Sequence, residues 1–167
     1  MRDTQHPTDL VTPHTGQGLR VLLVEPEAVA RTILQDGIRT IARVAAYDDF
    51  WSARARVLDG SFDFLVTNAR LGAYNGVHLV YIAGAHGVPA HSIVYSGRHD
   101  AGVACDVQDA GAFYETHDRL IVTLTAYLRG PLPRRDRRHP SGAHRPSGAE
   151  CVSGRRCSDH HATSASS

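Results

Sequence analysis

Five short apolar runs recur along the middle of the chain: Arg20 to Glu25 (RVLLVE), Ala42 to Ala46, Phe64 to Thr67, Ser92 to Ser96 (SIVYS) and Ala112 to Glu115 (AFYE). The first is branched and nearly continuous, as in a strand buried on both faces. Helical spacing fills the intervals. Ala28 to Ile41 places Val29, Ile33, Leu34, Ile38 and Ile41 on one stripe, with Pro26 just ahead in a place suited to a first helical turn. Asp48 to Leu58, opened by an acidic cap, His78 to Ala85 and a weaker Asp100 to Ala110 are further helix candidates. Asp118 to Leu128 closes the set, with Leu120, Ile121, Leu124 and Leu128 as its apolar stripe. This alternation predicts an α/β domain with a doubly wound, five-stranded parallel sheet and helices on both faces. In such a sheet, chemistry gathers at the carboxyl ends of the strands.

The periodicity divides the chain of 167 residues into a folded domain at 19–130, a flexible N-terminal segment at 1–18, and a tail at 131–167. The tail is rich in Arg, His, Pro, Ser and Gly and buries too little apolar surface to offset its ordering entropy, so it is expected to be disordered. No apolar run approaches the roughly 20 residues that span a bilayer. The polar start has no signal-peptide centre, so a cytoplasmic location is expected. The three cysteines, Cys105, Cys151 and Cys157, suggest no disulfide framework. The net charge of +1 points to no particular partner, but the 18 basic residues are all arginine. Mechanisms that need a lysine ammonium are excluded.

Polar residues cluster where the strands end: Glu25 after the first, Thr67 and Asn68 after the third, Ser96 at the fourth, and Glu115, Thr116 and His117 after the fifth. The ordered segments VLLVEPE, DFLVTNARLGAYNG, IVYSG and DAGAFYETHD resemble the receiver (CheY-like) domain of two-component response regulators over roughly Gly18 to Gly130. Leu71, Asn75 and Gly76 stand at the offsets of that family's loop after the phosphoacceptor. The resemblance implies a flavodoxin-like strand order of 2-1-3-4-5 and a place in phosphorelay signal transduction.

Residue by residue, the resemblance implies a degraded site. Asn68 takes the place of the phosphoaccepting Asp, and a neutral amide is a very poor nucleophile. The acidic pair after the first strand is reduced to Glu25 and Pro26, which strips the oxygen-rich site that Mg²⁺ requires. The lysine after the fifth strand is missing; His117 or Asp118 takes its place, depending on a one-residue deletion. Ser96 keeps the hydroxyl that senses the phosphoryl group. Tyr114 and Phe113 fall where the family has a switching aromatic, although an aromatic on a buried strand is also plain core. A pseudo-receiver follows, with no enzyme activity, no bound metal and no cofactor; the alternatives are a phosphoaccepting response regulator with an unorthodox site and an unrelated α/β enzyme or small-ligand binder at the same crevice.

The remaining features are weaker. His117 reads also as a surface histidine, and Trp51 as packing or a surface anchor. Cys105 reads as a small apolar filler. Cys151, Cys157, His160 and His161 match no common zinc spacing. The run Arg134 to His139 could contact nucleic-acid phosphates, but a solvated tail is the simpler account and no nucleic-acid or membrane partner is expected. No helix-turn-helix pattern follows the domain, so the chain reads as a stand-alone receiver. The expected partner is a protein, a histidine kinase or an output protein, or a second copy docked through the fourth helix, fifth strand and fifth helix.

Overall fold

The computed structural model describes residues 18–132. Residues 1–17 and 133–167 lie outside the described part, and with them the arginine run of the tail and the Cys151, Cys157, His160 and His161 group. The sheet is built from β1 (Arg20–Val24), β2 (Arg43–Tyr47), β3 (Phe64–Asn68), β6 (His91–Ser96) and β7 (Phe113–Thr116), all parallel, in the order β2-β1-β3-β6-β7. Apart from the numbering shift caused by a small hairpin, this is the expected 2-1-3-4-5 order. The hairpin, β4 (Arg70–Leu71) against β5 (Tyr74–Asn75), was not predicted. Its strands are too short to show a period, and its turn depends on Gly72, whose φ of 66° is the positive value a type II′ turn needs at its first central residue.

The helices are α1 (Ala28–Arg39), α2 (Phe50–Asp59), α3 (Val77–Ala85), α4 (Ala101–Asp109) and α5 (His117–Arg129). α1 starts at the expected Ala28, the other four helices start one or two residues from expectation, and side-chain caps set the starts of α1, α2 and α4. Glu27, not Pro26, opens α1 by accepting the backbone N–H groups of Val29 and Ala30 at 2.9 and 2.6 Å. Those bonds hold its carboxyl below the usual range, the Ala30 bond most and the Val29 bond next. Asp49 rather than Asp48 caps α2, and Asp100 caps α4 in the same way.

Two apolar layers sandwich the sheet. One joins it to α2, α3 and α4 through residues such as Val24, Phe50, Leu65, Leu79, Val94, Val107 and Tyr114. The other joins it to α1 and α5 through Leu23, Leu34, Ile38, Val66, Tyr95, Leu120 and Leu124. The apolar stripe expected on α1 is narrower than predicted: Leu34 and Ile38 are buried, whereas Val29 is 65% and Ile33 48% exposed. Ile33 is one residue, about 100° of helix, from Leu34, and so turns away from the sheet. Ile121 on α5 is exposed for the same reason, and Val122 beside it is 81% exposed. Cys105 is only half-buried, with Sγ 3.9 Å from the Asp109 carboxylate. No helix among the described residues is long and apolar enough to cross a membrane.

Candidate functional site

Parallel register assembles the site. Val24 pairs with Thr67, so Glu25 and Asn68 fall side by side one step further on, and Asn68 pairs with Tyr95, which in turn pairs with Glu115. Alternation puts this row on the α1 and α5 face. Glu25 is 1% exposed, so its carboxylate must find donors inside the protein. It has three. Asn68 Nδ2 donates to Oε2 at 2.8 Å, the Tyr95 hydroxyl donates to the same oxygen at 2.6 Å, and the Glu27 backbone N–H donates to Oε1 at 2.8 Å. Arg31 on α1 braces the turn by donating to the Glu25 carbonyl at 2.8 Å.

Asn68 is polarised between two demands. Its Nδ2 faces the Glu25 carboxylate, while its Oδ1 accepts the Arg70 backbone N–H at 2.9 Å. An amide can donate on one side and accept on the other, whereas an ionised carboxylate only accepts. The residue that replaces the expected nucleophile is therefore matched to this pocket by its own hydrogen bonds. Tyr95 completes the match. Burial first, then the hydrogen bond to Glu25 and its charge, push the phenol well above its ordinary pKa, so it remains a proton donor. The chain's sequence marked Tyr95 only as a strand residue. Its signal was a phenol inside a strand buried on both faces, which needs a partner for its hydroxyl.

A hard divalent cation would find a single carboxylate in this row, Glu25, which already accepts three hydrogen bonds, beside an Asn68 carbonyl that accepts the Arg70 N–H and a Pro26 with no side-chain oxygen. Among the described residues, no group of three or more His, Cys, Asp or Glu side chains could hold a metal ion.

A second set of bonds lies across the sheet. Ser96 Oγ donates to the Arg98 carbonyl at 2.5 Å and lies 2.6 Å from the Tyr114 hydroxyl. The Asp100 backbone N–H reaches that same Tyr114 hydroxyl at 2.9 Å. Tyr114 is buried against α4, so its ring points inward, and its hydroxyl is tied to the loop after β6. Glu115 is buried on the opposite face, where the Tyr127 hydroxyl donates to it at 2.5 Å and Arg119 pairs with it at 3.5 Å. His117 is not the surface histidine its position suggested. It begins α5 half-buried, its ring 6.0 Å from that of Tyr95, with Nε2 buried and unpartnered among the described residues and Nδ1 3.8 Å from the Asp118 carboxylate. The residue is reached by the helix start, which tucks its ring under the strand ends.

Leu71 is buried beneath the hairpin, and Asn75 Oδ1 accepts the Val77 N–H at 2.9 Å to start α3. Gly76 presses on the β3 end: its N–H donates to the Ala69 carbonyl at 2.9 Å, and a Cβ there would lie 2.1 Å from the Asn68 carbonyl oxygen. Trp51 is on the surface, in edge contact with Phe50 and Tyr74 and with the Arg54 guanidinium 5.9 Å from its ring.

No protein-family model and no curated protein sequence matches the chain. Solved structures do. The receiver domain of a CheY-like response regulator from Methanospirillum hungatei superposes with a TM-score of 0.60 at 15% identity, covering 67% of this chain and 94% of the other. The response regulator domain of Thermotoga maritima CheB gives 0.60 at 19% identity, with 68% and 95% covered. The chain has the receiver fold. A Vibrio cholerae chemotaxis protein of the CheY type aligns in the same way, with a TM-score of 0.58, 14% identity, and 65% and 98% covered. At such identity it is the fold that is shared, and the row Glu25, Asn68, Tyr95 is a property of this receiver fold on its own terms.

If that row holds the strand ends together, Tyr95→Phe should lower stability by about 1–3 kcal/mol, because a buried carboxylate keeps its burial and loses a donor. Urea unfolding would read it. An unchanged midpoint would mean that Glu25 has another source of hydrogen bonds.

Proposed function

We propose that this chain is a receiver module that signals by protein contact and does not take up phosphate. The observation that carries the reading is the committed amide of Asn68, held between Glu25 and Arg70 N–H with no free anionic oxygen to attack a phosphoryl group. Phosphoryl transfer needs such a nucleophile, a metal to neutralise the transferring charge and a fixed cation. Here the Glu25 carboxylate already accepts three hydrogen bonds, and no lysine exists anywhere in the chain.

The partner is a protein, either a histidine kinase or an output protein, or a second copy meeting it through the face of α4, β7 and α5. Exposed Ile121 and Val122 on α5 offer apolar contact points for such docking. A cytoplasmic setting goes with this role, and no catalytic turnover is part of it. Contact of the tail with nucleic acid is not needed.

The experiment is incubation of the full chain with acetyl phosphate and Mg²⁺, followed by intact-mass measurement. No phosphoryl adduct should form. A stoichiometric adduct lost on substitution of Asn68 or a neighbouring acid would overturn the proposal.

A further inference from the structure

Beside Asn68 a crevice of about 640 Å³ opens between the β4–β5 hairpin and the loop from β6 to α4. Its size lies within the range of about 300–1,000 Å³ usual for small-molecule sites. Arg70 and Arg98 line it, together with His99, Tyr74 and Val103. We propose that this crevice binds a small aromatic organic anion, carrying a carboxylate, sulfonate or phosphate, and that it is the input site of the module. This rests on the phosphate-independent reading above and supplies the ligand that reading leaves open.

Charge supports the assignment first. Arg70 and Arg98 have no acid within salt-bridge distance among the described residues, as is true also of Arg31, Arg43, Arg54 and Arg129, but these two are the arginines that line the crevice. The single acid on the crevice wall, Asp100, is engaged: its Oδ1 accepts the Gly102 and Val103 N–H groups at 2.9 and 3.1 Å. Two arginines on the wall of one cavity are suited to a planar oxyanion, which guanidinium groups can grip with paired N–H donors.

The apolar wall supports it next. Tyr74 is 40% exposed, yet its ring is not loose: it stacks on Phe50 at 4.7 Å with planes 14° apart, and meets Trp51 edge-on at 5.3 Å. A braced aromatic face costs little entropy when a second ring settles on it. Aromatic wall and cationic rim on one crevice select for a molecule that has both a ring and a negative charge.

The crevice is also wired to the buried aromatic. The Arg98 carbonyl accepts from Ser96, and the Asp100 N–H is bonded to the Tyr114 hydroxyl. A ligand that draws in the Arg98 side chain must act on the loop that holds Tyr114, and a ligand shifts such an equilibrium by its difference in affinity for the two loop positions.

The test is a fluorescence titration of the full chain with 8-anilinonaphthalene-1-sulfonate as probe. Saturable one-site binding is expected, weakened about tenfold or more in the R70A/R98A double variant, on the scale of a lost charge-assisted bond. The control R43A, which removes an arginine at the opposite ends of the strands, should bind as the parent does. The uncharged N-phenyl-1-naphthylamine should bind more weakly than the sulfonate. Absence of saturable binding, parental affinity in R70A/R98A, or an equal loss in R43A would each overturn the proposal. Any of these would leave the phosphodonor result standing, and a phosphoryl adduct would sink the earlier reading whatever the probe does.

Discussion

Gly76→Ala should destabilise the domain by about 3 kcal/mol, at the upper end of what one forced methyl group costs in a packed site. A Cβ at this position would lie 2.1 Å from the Asn68 carbonyl oxygen and 2.7 Å from Thr67 Oγ1. The first of these is backbone in a central strand, and it has nowhere to go. Relief must come from lifting the loop, which breaks the bond from the Gly76 N–H to the Ala69 carbonyl and disturbs Asn68, whose amide holds Glu25. The variant should therefore lose stability and loosen the strand ends together, read as a lower urea midpoint with a weakened near-ultraviolet signal from Tyr95. Gly84→Ala is the control. Gly84 lies within α3 with nothing near a built Cβ, so alanine there should stabilise by about 0.5–1 kcal/mol through helix propensity. Equal behaviour of the two variants would refute the close approach at Gly76.

The order of the strands and the two-layer core were legible because each strand is a short branched run and each helix carries its own stripe. Leu22, Leu65, Ile93 and Phe113 announce buried strands wherever they are placed. Helix edges were less legible: Val29, Ile33 and Ile121 look like core by spacing, but lie just off the stripes that face the sheet. At the site, Glu25, Asn68, Ser96, Tyr114 and His117 stood out as polar or hydroxylated residues at strand ends. What no local pattern could reveal was the partner of each. Tyr95 meets Glu25 across 70 positions of chain, and that meeting depends on the register of three strands. The hairpin that walls the crevice was hidden because strands of two residues have no period to read.

Asn68→Asp is the substitution that would restore the expected nucleophile, and it should cost stability and yield little phosphorylation. The new carboxylate would stand where Nδ2 now lies 2.8 Å from Glu25 Oε2, replacing a donor by a second negative charge. Like charges at that range raise the apparent pKa of the pair, so the folded variant takes up a proton that the unfolded chain does not hold at neutral pH. The sign follows. A pair with a raised folded-state pKa is least costly below the ordinary carboxyl range, and its deficit grows as pH rises through the raised value. The gap in urea midpoint between parent and variant should thus be wider at pH 8 than at pH 5, reaching about 1–3 kcal/mol from the lost donor alone. Millimolar Mg²⁺ should narrow the gap, because a cation can sit between two carboxylates that an amide had joined. Acetyl phosphate should still modify only a small fraction of the variant, since Pro26 adds no metal ligand and no lysine holds the phosphoryl oxygens. A gap independent of pH would mean that Glu25 and residue 68 do not meet as described, and rapid stoichiometric phosphorylation would show that the amide alone had silenced an otherwise complete site.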